Sequence, residues 1–343
     1  MTDRVVIFNR QGIALGEVDA VIVRSQALER KVRAERAVMQ LQISNIARNF
    51  TRFRNLVVVY SDVLPTWCGV IWDTRDWSDN EITVTLYSCE YLLQLRRTGA
   101  ADKLAGQPGQ IFSSLLKTAQ QFESLLIWID PNKIAAGGLW TEKEYNRSNI
   151  FDAVNDLAAE AEFYWWFEPM ISTGNRLVLR AQWQKSRGVT YHRPLIQGSN
   201  FVEVKVTEIC RVANRIITMG KVEDSITALE YIAEDAESRS FFGLVEDAIT
   251  DHDATAPGEL VPIGKAELTK RKQPRVKITG RAIVAPYPKV GDNVIVSLSS
   301  ESLGYGSGGS VFAGASAVRV KTVTHSPEEE GVTIMADNLY WEV

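Results

Sequence analysis

Short segments in which apolar and polar residues alternate recur on either side of the chain's middle. A period of two commits such segments to half-buried β-strands. Ala37-Val38-Met39-Gln40-Leu41-Gln42-Ile43 sets Met39, Leu41 and Ile43 against Gln40 and Gln42, and Phe201-Val202-Glu203-Val204-Lys205-Val206 alternates as cleanly. From Val5 to about Leu95 the remaining strands are read at the N-terminus, Leu56–Tyr60, Trp67–Trp72 and Glu81–Tyr87, with Asp73, Asp76, Asp79 and Asn80 marking the last turn. Glu90–Arg97 suits one or two closing helical turns. Short strands at regular spacing suggest a small barrel or sandwich. The basic piece Arg24–Arg36 inside it reads as a solvated or inter-subunit loop.

Between about Gly99 and Gly188 the period changes. Pro108 precedes Ile111, Leu115, Leu116, Ala119 and Phe122 on one helical face, and Asp130-Pro131 stops the apolar run Leu125–Ile129. Ser148 or Asn149 is the N-cap of a second helix carrying Phe151, Val154, Leu157, Ala158 and Ala161. The strands Phe163–Phe167 and Arg176–Trp183 follow, joined by a turn at Ser172–Asn175. Helix, helix and hairpin make a small α+β unit set between all-β segments. The second β region runs on from Phe201 through Cys210–Met219 and resumes at Arg275–Val284, Asn293–Leu298, Ala317–Val323 and Gly331–Ala336. Eleven Asp and Glu between Lys221 and Leu260, against Lys221 and Arg239, interrupt it, and Leu260–Lys270 reads as a short helix that Pro262 confines.

The ingredients of catalysis are sparse. A chain of 343 residues with 45% apolar residues, 23% charged residues and a net charge of -4 carries no electrostatic argument for a nucleic-acid glove or a cationic membrane binder. No run approaches the roughly 20 apolar residues of a membrane helix, and the N-terminus lacks a signal-peptide pattern. Cys68, Cys89 and Cys210 form no disulfide framework and no Cys-x-x-Cys, which fits a reducing site of synthesis. His192, His252 and His325 are scattered without zinc-ligand spacing. Gly304–Gly309 satisfies G-x-G-x-x-G but is followed by small residues and a strand, so it reads as a loop rather than a dinucleotide site. Asp251-His252-Asp253 reads as an exposed loop, and Glu142, Glu144, Glu160, Glu162 and Glu168, numerous enough to pair as glycosidase carboxylates, read as the residues that helix surfaces supply routinely. No catalytic residue, metal site or cofactor is expected.

Tyr164-Trp165-Trp166-Phe167, with Trp183 in the paired strand, is the densest aromatic cluster. With aromatics on both faces of a hairpin, these five residues are read as core packing plus an interface with another protein or domain. The competing reading is a carbohydrate- or receptor-binding platform on Trp165, Trp166 and Trp183.

The order of features resembles the baseplate or tail hub proteins of tailed phages and contractile injection systems. The carrying residues are Trp67-Cys68-Gly69-Val70-Ile71, the Asn149–Glu162 helix with the Gly174-Asn175-Arg176-Leu177 turn, and Asn214-Arg215-Ile216-Ile217-Thr218-Met219-Gly220. Ser238 with Gly243, and Pro286–Val296 with its Val-Gly-Asp turn, complete the series. The resemblance implies an α+β, mainly β chain of two tube-like β-barrel domains with inserted small α+β modules. Residues 1–98 would form the first barrel, 99–188 the inserted α+β domain and 189–222 the start of the second barrel. Residues 223–259 would be a small acidic insertion and 260–343 the remainder of the second barrel.

It further implies a structural virion protein at the tail tip, made in the host cytoplasm and not an enzyme. Three copies would form a homotrimer whose six barrels match a six-fold tail tube. Its partners would be distal tail and tail tube proteins, a tail fibre or central spike protein, the tape measure protein, and double-stranded DNA passing without specific binding. The bore is expected to be neutral or acidic, with the basic segments Arg24–Arg54 and Lys265–Lys289 at contacts. Compared with longer hub members the sequence stops at Val343, so a fibre, peptidase or lysozyme domain is not expected.

Overall fold

A computed structural model describes residues 3–27, 36–42, 55–77, 81–138, 140–209, 212–220, 229–251, 254, 256–273, 275–298, 314–326 and 330–338. The chain divides into two compact units, one of residues 1–192, 281–293 and 320–334, the other of residues 193–280, 294–319 and 335–343. It is mainly β, with large antiparallel sheets.

In the first unit, β1 (Arg4–Phe8), β2 (Ala14–Val18), β3 (Ala20–Ala27), β4 (Arg36–Gln42), β5 (Leu56–Tyr60), β6 (Trp67–Trp77) and β7 (Glu81–Ser88) hydrogen-bond in the order β3-β4-β7-β6-β5-β1-β2. Leu56-Val57-Val58-Val59 has no polar break because both of its faces are covered, as a doubly buried strand requires. Val57 and Val59 join Val5, Ile7, Ile22, Met39, Ile82, Val84 and Leu86 in one core. Leu56 and Val58 join Val6, Phe8, Cys68 and Val70 in another, shared with the helices that follow. Residues from β1 and β3, far apart in strand order, meet in the first core, so the sheet curls around it. Arg24, expected in a solvated loop, is instead on β3 with its side chain buried, and Nη2 donates to the Pro65 carbonyl at 2.8 Å. Residues 28–35 of that basic piece lie outside the described residues.

A 3-10 turn, Cys89–Leu95, leads into β8 (Asp102–Gly106), α1 (Pro108–Ala119), β9 (Ile127–Trp128), β10 (Thr141–Tyr145), α2 (Ile150–Ala161), β11 (Tyr164–Ile171) and β12 (Leu177–Gln184). The helix, helix and hairpin read from the sequence are all present. Phe122 is not on the helical face assigned to it: α1 ends at Ala119, and Phe122 is 93% exposed. The cause is Gln120, whose side-chain amide donates to the Ile127 carbonyl at 3.0 Å while its oxygen accepts from the Ile127 N–H at 2.9 Å. That exchange turns the chain off the helix and into β9.

Asn149, one of the two N-cap candidates, is the cap of α2: its Oδ1 accepts from the Phe151 N–H at 2.9 Å, and its Nδ2 donates to the Gln94 carbonyl at 2.9 Å. Asn149→Ala removes both contacts and is expected to cost about 1–2 kcal/mol, read as a lowered denaturant midpoint at unchanged slope. An unchanged midpoint would show that the cap carries no weight.

The second unit contains β13 (Leu195–Ile196), β14 (Phe201–Ile209), β15 (Arg215–Met219), β16 (Glu230–Glu234), α3 (Ala236–Phe242), β17 (Glu246–Thr250) and α4 (Pro257–Arg271). The chain continues through β18 (Arg275–Ala282), β19 (Asn293–Leu298), β20 (Gly314–His325) and β21 (Val332–Asn338). Strand order there is β14-β18-β21-β20, with β19 pairing β13 and β20. Of the segment Cys210–Met219, residues 210–211 lie outside the described residues. Arg215–Met219 moves to a separate sheet ordered β16-β15-β17, because Asn214 redirects the backbone, donating to the Gly243 carbonyl at 2.6 Å and accepting from the Val245 N–H at 2.9 Å. Helix α4 begins before the expected Leu260 and runs through Pro262. Pro257 occupies its first turn, and Glu259 accepts from the Ala256 N–H at 3.1 Å.

Residues 320–325 of β20 belong to the first unit, and within it Thr322–His325 pair antiparallel with β3 at Arg24–Ala27. The Val-Gly-Asp turn lies beside this ladder. Asp292 is buried, and its carboxylate accepts from the Val189 N–H at 2.9 Å and the Lys289 N–H at 2.8 Å. Gly291 has φ +92° and packs directly on the backbone of Arg187 and Gly188.

Candidate interaction surface

The hairpin β11–β12 is built on one directly opposed pair, Trp165 and Trp183. Both rings are buried in the core, 1% and 0% exposed. Phe112 of α1 stacks on Trp183 with ring centroids 4.7 Å apart, and Phe163 stacks on it at 5.4 Å. Phe151 of α2 meets Trp165 edge-on at 5.9 Å, and the Trp165 indole N–H donates to Asn155 Oδ1 at 3.0 Å. Tyr164 and Phe167 are buried as well. Of the five aromatics read as packing plus interface, Trp166 alone keeps a half-buried place, with the Arg187 guanidinium 5.0 Å from its ring centroid. Trp165 and Trp183 therefore present no ring face to a sugar, which removes two of the three side chains that a carbohydrate platform would use.

The opposite face of this hairpin carries a polar cluster. Glu168 faces Arg180 across the strands, and Trp166 faces Gln182. Arg180 donates to Glu168 Oε2 through Nη2 at 2.6 Å and Nε at 3.1 Å, and Gln182 donates to the same oxygen at 2.7 Å. Arg180 also lies 6.0 Å from the ring centroid of Trp128, which is 45% exposed. Sequence reasoning missed Trp128, because a two-residue strand running parallel to β12 has no periodicity of its own.

A second surface is apolar. Val21 and Val23 on β3 and Val38 on β4 are 45%, 43% and 37% exposed, and Val23 lies directly opposite Val38. Period-two reading assigned Met39 to the buried face correctly, and Met39 is fully buried. The same alternation puts Val38 on the outer face beside Gln40 and opposite Val23.

In the second unit four carboxylates of the acidic stretch pair with basic side chains. Arg215 pairs with Glu234 at 3.0 Å and Glu246 at 2.9 Å, Arg271 pairs with Asp247, and Lys272 pairs with Asp235 at 3.1 Å. Lys270, which pairs with Glu267 at 3.7 Å, Arg271 and Lys272 of the basic segment are thus engaged inside their own unit; Arg30, Lys31 and Arg33 of the other basic segment lie outside the described residues. Asp235 is held below the usual aspartate range by the backbone N–H of Ser238 and by Lys272, and Asp247 by the Arg271 guanidinium and the Ala248 N–H.

A carboxylate whose folded pKa is depressed stabilises the fold above its unfolded value of about 3.9, and that contribution disappears as pH falls through the folded value. Asp235→Asn is therefore expected to lower stability at neutral pH and to flatten its decline below about pH 4. Denaturant melts at several pH values check this; parallel profiles for variant and parent would exclude it.

Among the described residues no group of three His, Cys, Asp or Glu is placed to hold a metal ion. His325 is buried and its Nδ1 lies 3.2 Å from the Gly331 carbonyl, while His192 is exposed. Asp251 closes the end of β17, and His252, Asp253 and the Gly304–Gly309 loop lie outside the described residues. No described helix is long and apolar enough to cross a membrane.

Known structures place this architecture. The prophage tail protein gp18 from Listeria monocytogenes EGD-e superposes with a TM-score of 0.60 at 15% identity, over 98% of this chain and 94% of that one. The chain has the phage tail-protein fold. The prophage MuSo2 43 kDa tail protein from Shewanella oneidensis gives 0.63 at 10% identity over 98% of each chain. The tail protein from Neisseria meningitidis MC58 gives 0.59 at 12% identity, over 100% of this chain and 98% of that one. Family models and curated proteins give no match. The tail-protein fold was the expectation drawn from the order of motifs, and at the level of fold it is met.

Proposed function

We propose that the chain is a structural component of a phage-type tail, a baseplate hub protein that assembles as a homotrimer. The observation that carries this reading is likeness over nearly the whole length to three tail proteins from different bacteria. The Escherichia coli c3393 protein adds support: it is a component of the type VI secretion system, similar in structure to the T4 tail proteins gp27 and gp5, and it superposes with a TM-score of 0.52 over 96% of this chain and 75% of that one.

In this reading the curled sheet of residues 1–98 and the strands of 189–222 and 260–343 act as two tube-like barrels. Residues 99–188 and 223–259 are the modules inserted in them. Three copies close a ring at the distal end of the tail, bind tail tube, tape measure and fibre or spike proteins, and let DNA pass. The exposed row Val21, Val23 and Val38 supplies apolar area for a neighbouring subunit, and Trp166 with Trp128 supplies aromatic edges for a second contact. The role requires no catalytic group.

Mass photometry of the purified protein tests the assembly: a species of three chain masses is expected, and a monomer at all concentrations would overturn the trimer. Immunogold labelling of assembled particles tests the location. Label at the distal tail end supports the hub, and its absence from particles would overturn the tail role.

A further inference from the structure

Three cysteines form no disulfide framework and no Cys-x-x-Cys pair, yet the fold brings Cys68 and Cys89 together. The antiparallel register of β6 and β7 ends with Gly69 opposite Ser88. One step beyond that last pair stand Cys68, on β6, and Cys89, the first residue of the 3-10 turn. The side chains agree with the backbone. Cys89 Sγ donates to Cys68 Sγ at 2.8 Å, only about 0.8 Å beyond the roughly 2.0 Å of a covalent S–S bond. Both are free and buried, sealed in the core that the sheet shares with α1 and α2.

We propose that Cys68 and Cys89 are an oxidative modification site, a thiol pair that closes to a disulfide across the end of the β6–β7 ladder when the folded protein meets a small peroxide. The Cys68 sulfur attacks one peroxide oxygen, the O–O bond breaks, and a sulfenic acid forms with release of water. The Cys89 sulfur then displaces that hydroxyl as a second water. Two thiols lose two electrons and two protons, and hydrogen peroxide becomes two waters. Burial holds the Cys89 thiol protonated well above the ordinary range, so closure is slow near neutral pH and faster in alkali.

The bond would fix the turn that attaches the α+β module. Glu90, next to Cys89, is buried, and its Oε1 accepts the Phe167 backbone N–H at 2.7 Å, tying the turn to β11. This inference does not depend on the proposed tail function.

The test uses the folded full chain carrying Cys210→Ser, so that the pair supplies the remaining thiols. Hydrogen peroxide should lower the intact mass by two hydrogens and remove both thiols from alkylation after unfolding. It should also raise the thermal midpoint by roughly 5 °C or more, the shift expected of a cross-link that closes a loop of about 20 residues. Dithiothreitol should reverse all three changes. In the same background Cys68→Ser, or Cys89→Ala if that variant folds poorly, should lose the mass decrease. Two thiols still open to alkylation, or a mass raised by added oxygen alone, would overturn the proposal.

Discussion

Gly291→Val should destabilise the protein by about 3 kcal/mol or more. Two independent penalties combine there. A φ of +92° is open to glycine and strained for a β-branched residue. A Cβ at this position would sit 2.2 Å from the Arg187 carbonyl oxygen and 2.7 Å from its carbon, backbone atoms that cannot swing aside. A Cβ on Gly188, whose own φ is +91°, would in turn sit 2.1 Å from the Gly291 carbonyl carbon, and the two segments are tied together by the Asp292 carboxylate, which accepts from the Val189 and Lys289 N–H groups. Gly198→Ala is the control: its φ of +77° is similar, but nothing lies within 4 Å of the added carbon, so it should cost about 1 kcal/mol. Equal denaturant midpoints for the two variants would show that close backbone approach at Gly291 contributes nothing.

Trp183→Ala should cost about 3–5 kcal/mol, because it empties a fully buried site lined by two stacked rings. Phe112 and Phe163 lie against Trp183 at 4.7 and 5.4 Å, so the cavity would be walled by side chains from α1 and from the start of the hairpin. Rings held in place by their own helices collapse poorly into such a space. Trp128→Ala, at an exposed ring, should change stability by less than about 1 kcal/mol. Near-UV circular dichroism and denaturant melts of the two variants decide the matter. A Trp183 variant with parental stability would mean that the indole serves a surface rather than the core.

The difference between these tryptophans also explains what the sequence could tell. Leu56–Val59 and Ala37–Gln42 announce themselves, because a strand's burial is written in its own residues. The cap at Asn149 and the glycine at Gly291 are similarly local: a short polar side chain before an apolar helix, and a small residue before Asp in a turn. Trp166 and Trp183 look alike in sequence, and their fates diverge because α1 and α2 cover one face of the hairpin and leave the other. Which face a helix covers depends on long-range packing that no local period encodes. Arg24 and Asn214 were misplaced for the same reason, since Pro65 and Gly243, the groups that hold them, lie tens of residues away. Cys68 and Cys89 belong with them, being neighbours by strand register rather than by spacing.

The pairing of β20 with β3 has a consequence for how the chain is made. Ser25 and Thr324 share that ladder across 299 positions, with their hydroxyls 3.2 Å apart. At roughly 5–20 residues per second, the ribosome delivers the partner strand about 15–60 seconds after β3 has emerged. Throughout that interval β3 offers an unpaired edge, with exposed Val21 and Val23 beside it, to any other nascent chain within reach. Yield of the native protein should therefore respond to translation speed and to holdase chaperones more than to the stability of the finished fold. Polysomes carrying this message are where strand exchange between copies would begin.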